Sequence, residues 1–272
     1  MSQLPVIAAV PNYNMAPELE VLLPRLIKQH YKQIFVLDDA STDNSRAVAE
    51  RFAPAVTFIA GRSNKGAGGN RNRILGVLSY DALIHFMDAD TIPDTKDIVK
   101  AIQRAVPDGD FAFVGGLAKD RSGLQNVWNY GPRPGLRSEI DAYRQSKFGQ
   151  FLKKDPLQAA SFRSRHHQNL ADWPNPLQAP QPVKTFWALE QNVVFRSDIF
   201  KAYGGFDETN RETEIVELSL RMHQDNLDAY FDPSFSIIHT EAQVRNYNRA
   251  VRKRRECLQL AYKYGIFEWL KY

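Results

Sequence analysis

The residues best placed to do chemistry are Asp88 and Asp90, in the stretch ALIHFMDADTIP that runs from Ala82 to Pro93. The apolar run Leu83 to Met87 reads as a buried strand. Carboxylates at i and i+2 on its end point the same way, because side chains alternate along a strand. Two like charges side by side repel. A hard cation such as Mg²⁺ or Mn²⁺ relieves that repulsion, takes oxygen ligands and leaves positions open for phosphate oxygens. The plainer alternative is that the pair closes the strand and caps the next helix. Asp38 to Asp43 is a turn and N-cap sequence, or else Asp39 accepts hydrogen bonds from a base edge or a ribose. Asn64 to Arg71 is glycine-rich and opens a helix, with Lys65 and Arg71 alongside. Free N–H groups at a helix start attract phosphate; the alternative is a flexible turn. This loop is not a dinucleotide fingerprint, since Arg71 stands where the third glycine belongs and the loop comes after the third strand. His239 ends the apolar stretch SFSIIHT, where a lone histidine is more often structural than a ligand. His166 and His167 are expected to face solvent.

These residues need a frame, and the periodicity supplies one. Strands are expected over Val6–Val10, Gln33–Leu37, Val56–Ala60, Leu83–Met87 and Phe111–Gly115. Helices are expected over Glu18–His30, Asn44–Phe52, the glycine loop to about Tyr80, and Thr95–Val106. This alternation argues a largely parallel sheet with helices on both faces. In such sheets ligands bind beyond the carboxyl ends of the strands. Pro11–Asn14, Asp38–Asp43, Asn64–Arg71 and Asp88–Thr91 all fall at such ends. From Gly116 to Lys184 the rhythm fails, and a functional loop is expected. Next come a strand at Phe186–Phe195, a turn at Gly204–Asp207, a helix at Glu214–Gln224 and an extended Ala229–His239. From Asn246 the chain reads as a basic helix, with Arg249, Arg252, Lys253, Arg254 and Arg255 ahead of Tyr262, Tyr264, Phe267 and Trp269.

Composition sets bounds. The 272 residues suffice for one large α/β domain or two small ones. A single cysteine, Cys257, excludes an internal disulfide framework and a cysteine-rich zinc site. No run approaches the ~18 apolar residues of a membrane span, and no basic and apolar leader is visible at the N-terminus, so a cytoplasmic protein is expected. A net charge of +4 suits anionic partners such as nucleotides. It is too small to suggest a nucleic-acid-binding surface.

Taken together, the motifs resemble those of glycosyltransferase family 2, nucleotide-sugar-dependent enzymes of the Rossmann-like GT-A fold. The resemblance rests on Val10-Pro11-Asn12-Tyr13-Asn14, Asp38-Asp39-Ala40-Ser41-Thr42-Asp43, Asn64-Lys65-Gly66 with Arg71-Asn72, and Asp88-Ala89-Asp90. It continues through Asn192-Val193-Val194-Phe195-Arg196, Gly204-Gly205-Phe206-Asp207-Glu208 and Glu214-x-x-Glu217-Leu218-x-Leu220-Arg221. It implies a GT-A domain over residues 1–240, with a donor half (1–115) and an acceptor and catalytic half (116–240), then a C-terminal basic helical segment (241–272). It also implies a nucleoside diphosphate sugar, UDP the leading expectation, with Mn²⁺ or Mg²⁺ and an inverting transfer to an acceptor hydroxyl.

Residue by residue, the resemblance places Tyr13 on the nucleobase, with Pro11 and Asn12 beside it, and has Asp39 hydrogen-bond the base. Lys65, Gly66 and Arg71 would flank the base or diphosphate. Asp88 and Ala89 would face the ribose and metal shell, and Asp90 would bind the metal. His239 sits where some members place another metal ligand. The chain departs from the pattern at the base. The family's Glu-Asp pair falls on Glu214 and Ile215, and isoleucine cannot accept a proton. Glu214 is the first candidate to replace it, with Glu212 and Glu217 behind; alternatively these are first-turn acids favoured by the helix dipole. Two other readings stand beside this one: a catalytically weak binding or regulatory relative, or a glycosyltransferase acting on modified nucleic acid. Acceptor contacts, saccharide or lipid-linked, are expected in Gly116–Lys184. There Trp128, Tyr130 and Trp173, with Trp187 just beyond, are sugar platforms or core. The C-terminal helix either lies peripherally on an anionic membrane or packs back on the sheet.

Overall fold

A computed structural model describes residues 4–240 and 249–271. In chain order the elements are β1 (Val6–Asn12), α1 (Ala16–Ile27), β2 (Ile34–Asp38), α2 (Ser45–Glu50), β3 (Val56–Ala60), α3 (Gly66–Arg71), β4 (Leu83–Met87), β5 (Thr91–Pro93), α4 (Ile98–Ala105) and β6 (Phe113–Lys119). Then come β7 (Tyr130–Gly131), α5 (Leu136–Lys154), α6 (Pro156–Arg165), β8 (Val183–Thr185), β9 (Trp187–Ala188), β10 (Asn192–Arg196) and α7 (Ser197–Ala202). The last are α8 (Glu214–Gln224), β11 (Ala229–His239), α9 (Arg249–Tyr264) and α10 (Ile266–Lys271).

The main sheet has the order β3-β2-β1-β4-β10-β6-β11-β5, with β8 also on β11. β1, β2, β3 and β4 pair in parallel, and so do β6 and β11. β10 runs antiparallel between β4 and β6, so those six strands share one direction and point their carboxyl ends to one edge. The chain steps outward from β1 to β3 and returns to β4 on β1's other side. That reversal makes the switch point where α/β sheets bind ligands.

β1 shows why the sheet is central. Val6, Ala8 and Val10 enter one apolar cluster with α1 and α4, while Ile7 and Ala9 enter another with α7 and α8. A strand buried on both faces reads as a continuous apolar run. The first cluster reaches from Val6 to Ile237, so strands of both expected halves, 1–115 and 116–240, share one core. His85 lies within the sheet, bonded to Tyr31 Oη at 2.7 Å and to Asn192 Oδ1 at 2.8 Å. Burial lowers its pKa to about 4, so it stays neutral.

The structure differs from the sequence reading in three elements. The helix after the glycine loop stops at Arg71, and a 3₁₀ turn carries it only to Gly76, short of Tyr80. The expected strand Phe186–Phe195 is two strands, β9 and β10, separated by a turn containing Glu190 and Gln191. The stretch Gly116–Lys184 contains two helices, α5 and α6. The buried face of α5 is Ser138, Asp141, Gln145, Phe148 and Leu152; three of these five are polar, so its hydrophobic periodicity is erased. Of the two placements expected for the C-terminal helix, α9 takes the second and folds back on the body. Leu260 is buried with Phe186 and Leu220, and Trp269 packs against them. The expected start of that helix at Asn246 lies outside the described residues, while Arg252, Lys253, Arg254 and Arg255 are exposed.

Candidate active site

The carboxyl ends of β1 and β2 are stapled together. Asn12 Nδ2 donates to Asp38 Oδ1 at 2.9 Å and to Ser41 Oγ at 3.1 Å. Asn14 Oδ1 accepts from Thr42 N at 2.8 Å, and Asn14 N donates to Ser41 Oγ at 2.9 Å. Tyr13 stands between these anchors, 43% exposed at the rim, and Pro11 is half-buried beneath it. Asn12 Oδ1 is buried and has no hydrogen-bond partner among the described residues. Such an atom in a native fold needs an explanation, a ligand among them.

Asp39 is 2% exposed. It accepts from Lys65 N at 2.8 Å, Gly66 N at 2.9 Å and Arg73 Nη2 at 3.0 Å. The two loop N–H groups expected to be free for phosphate are therefore already bonded. A buried carboxylate must find donors, and the glycine loop supplies them. The glycines serve close packing as well: a Cβ on Gly68 would sit 2.9 Å from Glu214 Cγ, and Gly66 adopts φ +77° beneath the Arg211 guanidinium. Lys65 Nζ pairs with Glu208 at 3.0 Å.

Arg71 is buried, and its Nη2 meets Asp88 Oδ1 at 2.7 Å. Asp90 Oδ2 lies 3.1 Å from His239 Nε2. β4 ends at Met87, and Thr91 turns back to donate its N and Oγ1 to the Asp88 carbonyl. Strand alternation thus stops before the two carboxylates, and each takes a different partner. β5 pairs with β11 so that Thr91 sits opposite His239, which brings the histidine to the acidic turn from 149 residues away. Among the described residues no three acidic, histidine or cysteine side chains cluster as a metal cage. A carboxylate beside an imidazole still suits a divalent cation that draws its remaining ligands from a diphosphate.

The start of α8 gathers carboxylates from four elements. Glu214 is 5% exposed. Burial first, then the nearby Glu190 charge, pushes its pKa up to about 8, against the opposing pull of Arg71. Glu190, in the β9–β10 turn, accepts from Ile215 N through Oε1 at 3.2 Å. Glu256, from α9, accepts from Arg211 N and Glu212 N at 3.0 Å each and from Thr213 Oγ1 at 2.9 Å. Glu212 pairs with Arg252 at 3.3 Å. Glu217 is fully buried and bonded to Arg221, Lys263 and Tyr264. Burial alone would raise its pKa, but those bonds outweigh it and hold the group below the usual carboxylate value. Ile215 is 4% exposed in the apolar cluster with Leu218 and Phe206.

Sequence reasoning named Asp39, Arg71, Asp88, Asp90, His239 and Glu214, and all six lie at the carboxyl edge or on the elements packed over it. It passed over Glu190 and Glu256. Glu190 had no motif around it; Glu256 is one acid inside a basic run, and its break in the charge pattern was the available signal. The tryptophans lean on each other: Trp128 and Trp187 each meet Trp173 edge-on, at 5.5 and 5.9 Å. Trp173 itself is buried.

A mostly parallel sheet of this order, flanked by helices, has the GT-A fold. The sequence matches the glycosyl transferase family 2 model over residues 7–167, and the chain belongs to that family of transferases. It is similar to the mannosyltransferase PcManGT from Pyrobaculum calidifontis, solved with GDP-Man and Mn²⁺. The TM-score is 0.62 at 16% identity, covering 97% of this chain and 64% of that one. Against S. aureus TarS 1-349 the TM-score is 0.55 at 15% identity, covering 96% and 72%. Against GalNAc-T7 with UDP, GalNAc and Mn²⁺ it is 0.59 at 13%, covering 88% and 44%. An uncharacterized protein of Methanocaldococcus jannaschii is 28% identical over 123 residues, 45% of this chain and 50% of that protein. The chain thus spans about half the matched relative.

Proposed function

We propose that the chain moves a sugar, with inversion, from a nucleoside diphosphate donor to an acceptor hydroxyl, with Mn²⁺ or Mg²⁺ at Asp90 and His239. The observation that carries this reading is the Asp90–His239 pair beside the Arg71–Asp88 pair, at the switch point of the sheet. A cation held there would supply charge that stabilises the leaving diphosphate. Arg71, buried and cationic, would face the same negative charge from the protein side. Asn12 and Tyr13 would receive the base. Asp39 would act by holding the glycine loop in place. The acceptor's proton would pass to the carboxylates at the start of α8, Glu214 and Glu190. Family membership and neighbours solved with GDP-Man or UDP-GlcNAc support the donor class; UDP is the first nucleotide to try.

Calorimetric titration of UDP and GDP, each with and without Mn²⁺, tests the reading. Binding that requires the metal supports it; equal binding without metal removes the metal from the proposal. A second reading concerns location. Arg254, Leu258 and Tyr262 succeed one another at four-residue steps on the outer side of α9, and Leu258 and Tyr262 are 73% and 89% exposed. Basic and apolar groups on one helix face suit peripheral contact with an anionic lipid surface.

A further inference from the structure

If the chain is a glycosyltransferase of this kind, its base is still to be chosen between two carboxylates. We propose that Glu190, in the β9–β10 turn, is the catalytic base, and that Glu214 beside it is a positioning residue held against the glycine helix. The choice rests on access and on bonding. Glu214 is 5% exposed, with Cγ packed where a Cβ on Gly68 would lie. Glu190 is half-buried, so one side of it opens outward. Its Oε1 is pinned by Ile215 N at the start of α8, and its Oε2 makes no hydrogen bond among the described residues. One oxygen fixed and one open is the arrangement a general base needs: oriented, yet able to take a proton.

Its place in the sheet puts it at the donor edge. Asn192, two residues on, stands opposite Met87, the residue before Asp88. Arg71 feels the charges of Asp88, Glu190 and Glu214 together. Two buried donors in this neighbourhood have no partner among the described residues: Arg71 Nε, and Nε2 of Gln191, the residue after Glu190 in the same turn. Unpaired buried donors in a native fold call for an explanation, a ligand's oxygens among them. The position that carries the family's usual base is Ile215, and the backbone N–H of that same residue is what holds Glu190. The replacement is thus a substitution in space, from one side of the helix start to the turn facing it.

In the step itself, the acceptor oxygen bonds to the anomeric carbon of the donor sugar. The bond from that carbon to the diphosphate oxygen breaks, and its electron pair leaves with the diphosphate. The acceptor proton goes to Glu190 Oε2. Glu214 carries a proton at neutral pH, because burial, with the charges of Glu190 from the turn and Glu256 from α9, outweighs a backbone hydrogen bond and the Arg71 charge from α3. Asp88 shares that same arginine.

Donor turnover with water as acceptor, measured on UDP- and GDP-sugars with Mn²⁺, tests the assignment. Glu190→Gln keeps the oxygen that accepts from Ile215 N and should melt like wild type. It should lose turnover by ~10²–10⁴-fold with donor KM unmoved, and Glu190→Asp should recover part of the loss. Glu214→Gln should instead remove an inflection near pH 8 from the pH–rate profile. Glu190→Gln turning over like wild type, with the large loss appearing in Glu214→Gln, overturns the choice and makes Glu214 the base. A wild-type chain that neither binds nor turns over any of these donors overturns the functional reading, and this assignment with it.

Discussion

Glu214 makes its burial measurable. A carboxyl whose pKa is raised to about 8 in the folded chain binds a proton there that the unfolded chain releases near its ordinary value of ~4.3. Between those two values the folded state holds more protons, so stability falls as pH rises and levels off above about 8. Melting temperature tracked from pH 5 to 9 should show that decline, and Glu214→Gln should flatten it. An equal slope in the variant would mean the group is not buried as described. Asp90→Ala should abolish metal-dependent nucleotide binding, because a methyl group offers no ligand oxygen; unchanged Mn²⁺-dependent affinity by calorimetry removes Asp90 from the metal site. Single residues were the most readable level of this sequence. Asp88, Asp90 and Arg71 stand out by type and spacing. The partners they take do not, since Asp39 binds the loop 26 and 27 residues on and sequence spacing carries no record of that contact.

Between elements, α3 packs closely against α8. Gly68 has room for a hydrogen only, with Glu214 Cγ at 2.9 Å and Phe206 Cβ at 3.2 Å from a would-be Cβ. Gly68→Ala should therefore destabilise, by about 1–2 kcal/mol in urea titration, overpacking of ~1–3 kcal/mol being partly offset by better helix propensity. A stabilised variant would show that α8 stands further away. Beside its apolar cluster with α8, α9 makes polar contacts to the residues just before α8. Glu256→Ala leaves Arg211 N, Glu212 N and Thr213 Oγ1 without their acceptor. A stability loss of about 1–3 kcal/mol is expected, because the Thr213 hydroxyl is buried and would be left unpaired, with Glu256→Gln much milder. Elements were legible where an apolar stripe exists. β1 to β4 and α8 have one. α5 does not, because Asp141 and Gln145 are buried by bonds to Arg144, Val127 and Pro174. A helix that buries polar groups looks like a loop to any count of hydrophobic spacing.

Across the whole molecule, no helix among the described residues is long and apolar enough to cross a membrane. Surface contact with lipid is a separate matter, and it can be tested without disturbing the fold. Leu258 and Tyr262 are exposed, so replacing both with Glu should leave the melting temperature within about 2–4 °C, surface changes being worth less than ~0.5 kcal/mol each. Flotation with anionic liposomes at low salt should then separate wild type, bound, from the double variant, unbound. Equal behaviour of the two discards the strip as a lipid contact. The order of the strands was only partly legible. Alternation of strand and helix foretold β1 to β4, but nothing local announces that β10 turns antiparallel and inserts between β4 and β6.

The reach of Glu256 has a consequence in time as well as in space. It accepts from residues 43 to 45 positions before it, so during synthesis the start of α8 emerges first and waits for its acceptor. A ribosome adding ~5–20 residues per second leaves that segment uncapped for a few seconds, and within that interval β11 emerges and His239 completes the donor edge. Nascent chains arrested short of Glu256 should therefore bind nucleotide before they can turn it over. Arrest at successive lengths, with both properties read on the stalled complex, would show turnover appearing only once α9 has cleared the exit tunnel.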